Sequence, residues 1–432
     1  MSGGASGDAS GAPAPAEGRA PLWNRGFLSL LATQFFEASS DNIIKTLITL
    51  ALAEGKRWDG LLGKGGGGIA GIAFTVPFIL LSAYGGRIAD RNSKRTVTIV
   101  LKSCSFVVAG ITLWAFGAGM VWGALGALVL FAVISAFFGP AKYGMIAELV
   151  APHEIARANG VVNMATNVAV IVGVLVAGLV ADDWEASWAQ GHPQGIGAWL
   201  PGLVMLGFVT AGFLTCITLP PLRAQDPDLP KQINPFATYV QTLREMSRGP
   251  LLGVAGSWAF FYFVAAVVLL QLPDYGTFLG VSSTWVSVLM GILGVSIGVG
   301  CVTAAWLDRP ERRRRFVPAG AVALGCGFGL LGIAPASWGA TAALLGLTGL
   351  FAGFYIIPLQ SLLQILSPDE ARGRYLGTAN GLSFVAGAIG SGMFLALRSA
   401  GMPSERIFLV LAGLCLAMAF VVRRWLRATA AQ

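Results

Sequence analysis

Apolar and polar positions alternate along this chain on the scale of a membrane. A helix needs about 20 mostly apolar residues to cross a bilayer. Runs of that kind occupy 27–53, 68–88, 96–118, 121–141, 160–181 and 198–219. A polar, proline-containing segment, 220–249, separates them from six more at 250–273, 281–306, 316–335, 338–360, 377–398 and 405–422. The pattern predicts an all-α membrane protein with twelve transmembrane helices. They divide into an N-terminal bundle (26–219), a central cytoplasmic loop (220–249) and a C-terminal bundle (250–422). Residues 1–25, rich in Gly, Ala, Ser and Pro, are expected to be a disordered tail, and 423–432 a second short tail. The start of the chain lacks the basic segment, short apolar core and cleavage site of a signal peptide, so the first run is read as a retained span.

Composition strengthens this picture. The chain is 55% hydrophobic and 12% charged, whereas soluble domains carry about 25% charged residues. A net charge of +8 would point to nucleic acid only if basic residues gathered on a soluble face. Instead they fall between apolar runs. Most of the 29 Lys and Arg lie in the tails and after even-numbered runs, as do Arg87, Lys94, Arg223, Lys231, Arg313 and Arg372. Lys56, Arg57, Lys64, Arg398 and Arg406 lie after odd-numbered ones. This bias places both termini and the central loop in the cytoplasm.

The two sets of six runs repeat. "GGRIADRNSKR" (85–95) follows the second run and "AAWLDRPERRR" (304–314) the eighth. Asp90-Arg91 and Asp308-Arg309 are separated by the same interval as Pro140 and Pro358, which lie in the segments after runs four and ten. A duplicated six-helix unit explains both coincidences, and such repeats place a substrate site at their interface near the midplane.

The first run carries a conflict. "FFEASSDNIIKTL" (35–47) sets Glu37, Asp41, Asn42 and Lys45 inside an otherwise apolar helix. An intramembrane charge costs ~2.5–3.5 kcal/mol or more, so such residues face a partner or a wet cavity. At helical spacing Gln34, Asp41 and Lys45 fall within about 60° of one another, with Glu37 close by. Two readings stand: an Asp41–Lys45 pair that neutralises itself and pins the helix to a neighbour, or a stripe lining a central cavity. Lys102 lies in the first turns of the third run, where snorkelling towards the interface would accommodate it. Lys142 follows Pro140, which is expected to break the fourth helix near its cytoplasmic end. It is either an interfacial anchor or a substrate contact. Asn163 and Asn167, four apart in the fifth run, line a cavity or bridge helices.

Twelve spans in two halves, with Gly86, Asp90, Arg91, Lys94 and Arg95 in the loop after span two, resemble the major facilitator superfamily. Asn92-Ser93 departs from the usual residue-Gly pair there. The resemblance implies that this loop latches the halves together on the cytoplasmic side, with Arg95, Glu148, Arg157 and the second-half Asp308 and Arg309 contributing. Two further segments, "QFFEASSDNIIKTL" (34–47) and "GPAKYGMIAEL" (139–149) with "ANG" (158–160), resemble the lysophospholipid transporter family. That resemblance implies movement of a lysophospholipid such as lysophosphatidylethanolamine from the outer to the inner leaflet of a bacterial inner membrane. It also implies an acyltransferase that restores the second chain; no His-x-x-x-x-Asp motif occurs here, so that partner is expected to act in trans. The family pattern falls on Asp41 and Asn42, which implies a headgroup contact there, and on Lys142, which implies a part in transport. The family's arginine in span seven has no counterpart, since 250–273 holds no charged side chain. Either Lys142 or Lys45 handles the phosphate, or the substrate differs.

Other chemistry is not indicated. The five cysteines all lie in apolar runs without paired spacing or a metal-ligand pattern, and two histidines are too few to suggest a histidine metal site. "GKGGGG" (63–68) lacks the Ser/Thr and the strand of a P-loop. No cofactor and no enzymatic activity are expected. Two rivals to lipid transport remain: a proton-coupled efflux carrier using Glu37 or Asp41, and a membrane scaffold for a lipid-modifying enzyme.

Overall fold

The computed structural model describes residues 21–151, 154–189, 191, 193–224, 235–307, 310–334, 336–367 and 372–428. The first six long helices are α1 (Arg25–Ala51), α2 (Gly66–Arg91), α3 (Lys94–Gly117), α4 (Val121–Leu149), α5 (Ile155–Ser187) and α6 (Leu200–Ile217). A short α7 (Pro235–Met246) precedes α8 (Leu251–Phe278), α9 (Ser283–Leu307), α10 (Pro310–Ile333), α11 (Trp338–Leu366), α12 (Arg372–Ser399) and α13 (Ser404–Ala428). The fold is two six-helix bundles, α1–α6 and α8–α13. By length and composition, ten of the described helices can cross a membrane. The remaining long helices are α1, whose polar stripe lowers its hydropathy, and α2, whose apolar run is limited to Gly66–Ser82.

The interval repeat in the sequence is a repeat of packing. In the first half α1 packs on α5, α2 on α4, and α3 on α4 and α6. In the second half α8 packs on α12, α9 on α11, and α10 on α11 and α13. The halves meet through two equivalent seams, α2 against α12 and α5 against α9. Each seam joins the second helix of one half to the fifth of the other, as a two-fold pseudo-repeat requires.

Three local expectations are corrected. Pro140 does not end α4: the helix continues to Leu149, because packed neighbours tolerate the lost hydrogen bond. Likewise α8 passes through Pro273 and carries Asp274 inside the helix. The central segment is not all loop, since α7 runs over Pro235–Met246. Its start at Pro235 suits a residue without a backbone N–H. Tyr375 Oη on α12 donates to Glu245 Oε2 of α7 at 3.0 Å, and Met246 is buried.

Glycines sort by what lies opposite them. A Cβ at Gly300 of α9 would collide with the Leu350 carbonyl, and one at Gly353 of α11 with the backbone of Gly300. These two helices therefore cross at backbone contact, the close approach that small residues permit. Gly298, two residues earlier and so on roughly the opposite face of α9, faces open space. Gly300→Ala is thus expected to lower the melting temperature of the purified protein through ~1–3 kcal/mol of overpacking. Gly298→Ala should leave it unchanged or slightly higher, and equal effects at both positions would refute the assignment.

Candidate functional site

The charged stripe of α1 meets two different surroundings. Glu37 forms a buried ion pair with Lys102 of α3. Ser135 of α4 donates to Asp41 Oδ2 at 2.6 Å and lies 3.0 Å from Glu37 Oε1. One hydroxyl carries one proton, so the two carboxylates compete for it. The other Asp41 oxygen, Oδ1, is buried without a hydrogen-bond partner. Lys142 of α4, 8% exposed, lies with its Nζ 4.6 Å from the Tyr143 ring centroid and within the field of Glu37 and Asp41. Lys102 is 2% exposed, so the expected snorkelling does not occur. Glu37 offers it a counter-charge at depth, which removes the reason to reach for the interface.

Asn42, and Lys45 at the edge of the stripe, reach the second surrounding. They line a cavity of 420 Å³ between the halves, with walls from α1, α2, α5 and the C-terminal helices α8–α12. Lys45 Nζ donates to Asn42 Oδ1 at 3.1 Å, while Asn42 Nδ2 donates to the Ala38 carbonyl at 2.8 Å. The ammonium also lies 5.1 Å from the Phe74 ring centroid. Lys45 therefore turns to a neutral amide rather than closing on Asp41. The remaining wall is apolar and aromatic (Phe74, Phe261, Phe328, Phe384), relieved by Thr46, Thr49, Thr75, Tyr262, Asn380 and Ser383. Asn163 and Asn167 are exposed on α5 and are not among the lining residues.

A polar group that joins the halves lies at the end of the molecule that carries the 52–65 turn. Arg398 of α12 donates to Asp274 of α8 at 2.8 Å and to Glu54 of that turn at 2.5 Å. The Glu54 backbone N–H reaches the other Asp274 oxygen at 3.2 Å. Gly65, at φ +82, starts α2 against the Arg398 side chain, where a Cβ would be strained as well as blocked. At the equivalent seam Asp182 of α5 accepts from the backbone of Ser283 and Thr284 at 2.8 and 2.9 Å, and from Thr284 Oγ1 at 2.5 Å. A carboxylate there meets the positive end of α9.

The expected latch residues lie at the other end. Lys94, fully buried, pairs with Glu148 at 2.6 Å. Arg95 donates to the Leu219 and Ile217 carbonyls at 2.7 and 3.2 Å, closing the end of α6. These bonds stay within the first half. Gly86 and Arg91 lie in the last turns of α2. The side chains of Asp90 and Arg157, and all of Asp308 and Arg309, lie outside the described residues. Sequence reasoning missed the Glu54–Asp274–Arg398 group. Its signal was Arg398, a charge at the end of an apolar run on the side that holds few basic residues.

Two bundles enclosing a central cavity, joined by equivalent seams and clasped at one end, define a membrane carrier. The sequence pattern of the Major Facilitator Superfamily matches residues 30–391, and the chain belongs to that superfamily. Among curated relatives, the lysophospholipid transporter LplT of Cronobacter sakazakii is 28% identical over 84% of either chain. That of Photorhabdus laumondii is 28% identical over 80% of this chain and 81% of its own. Among solved structures, an inward-facing, unoccupied bacterial homologue of the lysosomal transporter Spinster superposes with a TM-score of 0.70 at 13% identity, over 93% of this chain and 98% of that one. The nucleoside transporter NupG superposes at 0.71 and 12% identity, over 93% and 100%. At such identities the structural likeness concerns the fold.

The buried pair yields a test. Lys102→Met strands the Glu37 charge, which should cost ~3–5 kcal/mol, read as a large fall in melting temperature or folded yield. Adding Glu37→Gln should restore most of the loss. A double variant as unstable as the single one would show that the two charges do not depend on each other.

Proposed function

We propose that this protein moves single-chain phospholipids of the lysophosphatidylethanolamine type from the outer to the inner leaflet of a bacterial inner membrane. Both termini lie in the cytoplasm, where an acyltransferase acting in trans consumes the product. The observation that carries the reading is a mostly apolar cavity between the two halves in a chain whose curated relatives bear the name lysophospholipid transporter. Apolar walls suit an acyl chain, and polar groups at Asn42 and Lys45 suit a headgroup.

The cycle is alternating access, in which 27–219 rocks against 250–422. With the basic ends of the bundles in the cytoplasm, the Glu54–Asp274–Arg398 clasp and the Asp182 cap close the outer side, which makes this an inward-facing arrangement. Glu37, Asp41 and Lys142 form a gating group beside the cavity, where Asp41 keeps one oxygen for a partner in another conformation. Gly86, Asp90, Arg91, Arg95, Glu148, Arg157, Asp308 and Arg309 serve the cytoplasmic latch when the outer side opens.

Spheroplast uptake tests the reading. Labelled lysophosphatidylethanolamine should enter only when the protein is present, and Asp41→Asn at equal abundance should cut uptake about tenfold or more by removing a buried counter-charge. Drug resistance without lipid entry would instead establish efflux. A neighbouring lipid-modifying activity with neither property would leave a scaffold.

The clasp has its own test. In a background without the five native cysteines, Thr49→Cys, on the cavity wall, should resist a membrane-impermeant maleimide applied from outside. Adding Glu54→Ala should speed labelling several-fold. Equal rates would remove Glu54 from the outer gate.

A further inference from the structure

We infer that Lys45 is the residue that selects its cargo by charge: it takes the phosphate anion of a single-chain phospholipid inside the cavity. The inference rests on the lipid-transport reading above and names the group that reads the cargo.

The argument is a balance of charge. Glu37 and Asp41 lie with Lys102 and Lys142 in the buried group between α1, α3 and α4, two carboxylates against two ammonium groups. Glu37 is paired with Lys102, and Ser135 occupies one oxygen of Asp41. Lys45, half-buried one turn along α1 from Asp41 and within its field, adds a third cation to these two carboxylates, and it is the cation that lines the cavity. Its hydrogen-bond acceptor is the neutral Asn42 oxygen, which satisfies one of three N–H groups, while the Asp41 charge that reaches it is shared with Lys102 and Lys142. No Asp, Glu, Arg or second Lys appears among the described lining residues. An ammonium with no direct ion pair among the described residues, beside apolar walls at membrane depth, is costly, and an incoming anion offsets that cost with a charge-assisted bond. Asn42 and Asn380, facing the same cavity from the two halves, offer amide donors to the same anion. The apolar walls require that it carry a hydrocarbon chain, so inorganic phosphate fits poorly. With no carboxylate on the described wall, a headgroup ammonium finds no ion-pair partner there, and a purely cationic amphiphile is repelled.

The test uses the full-length protein in two measurements. Uptake of labelled lysophosphatidylethanolamine is followed in spheroplasts carrying wild type, Lys45→Arg, Lys45→Gln or Lys45→Glu at matched abundance. Binding of dodecyl phosphate, dodecyltrimethylammonium and inorganic phosphate, below micelle formation, is followed by thermal shift of the purified protein. Dodecyl phosphate is expected to bind wild type, with the other two at least about tenfold weaker. Lys45→Gln should raise KM about tenfold or more while kcat stays within about threefold. Lys45→Arg should stay near wild type, and Lys45→Glu should reverse the preference between the two amphiphiles. An unchanged KM in a folded Lys45→Gln protein, or equal binding of both amphiphiles by wild type, would overturn the inference while leaving lipid transport standing. Lys45-dependent binding of dodecyl phosphate without lysophospholipid uptake would uphold the anion site and overturn the transport reading.

Discussion

A charge held at hydrocarbon depth must meet an opposite charge or water, and in this protein the Glu37–Lys102 pair fulfils that condition. It ties α1 to α3, with Ser135 of α4, on which α1 packs, beside it. That contact fixes the rotation of α1. Once Glu37 and Asp41 turn towards α3 and α4, helical geometry places Asn42 about 100° round the helix from Asp41 and Lys45 at the edge between the two, where its side chain reaches the cavity that the second half leaves. A sealed group and an open one thus lie on a single helix because one pair anchors it. The same pair confines the stability risk, since a broken buried pair costs far more than an absent one.

The two seams between the halves are equivalent in topology and different in chemistry. At one, a guanidinium meets two carboxylates; at the other, a carboxylate meets the first backbone N–H groups of a helix. Glu54 is largely exposed in its clasp, so water and salt weaken its bond with Arg398. Asp274 and Arg398 are buried together within the second half and travel as a unit. Opening the clasped end therefore need not strand a charge in hydrocarbon: Glu54 leaves into water and Arg398 keeps Asp274. A gate that must open and close on every cycle benefits from bonds that are specific in geometry and modest in net energy.

What the sequence made legible follows from what is local and periodic. Apolar run length set the helices, and the equal spacing of Asp90 with Asp308 and of Pro140 with Pro358 revealed a repeat that the packing reproduces. The polar stripe of α1 was visible too, but the side each residue faces depends on how the helix is rotated in the bundle. Lys102 illustrates the limit: nothing within α3 shows that Glu37 will lie opposite it. Arg398 and Asp274 lie too far apart in the chain for any local pattern to pair them. Helix α7 was overlooked because prolines and charges around 220–249 mask a short amphipathic stretch, although Val240, Leu243 and Met246 recur at helical spacing.

The separation of carboxylates from cavity also bears on how transport is driven. A proton-coupled carrier needs a carboxyl that gains and loses its proton as the halves rock. Glu37 already serves as the buried counter-ion of Lys102, a structural duty that ties it to the pair. Asp41 is better placed, because one of its oxygens has no partner and the nearby Lys142 already carries a compensating charge. Any change at Asp41 is one turn from Lys45 on the same helix, and a turn of α1 would carry both. Cargo charge and gating charge would then be coupled through the rotation of one helix, without the cargo touching the gating carboxylates.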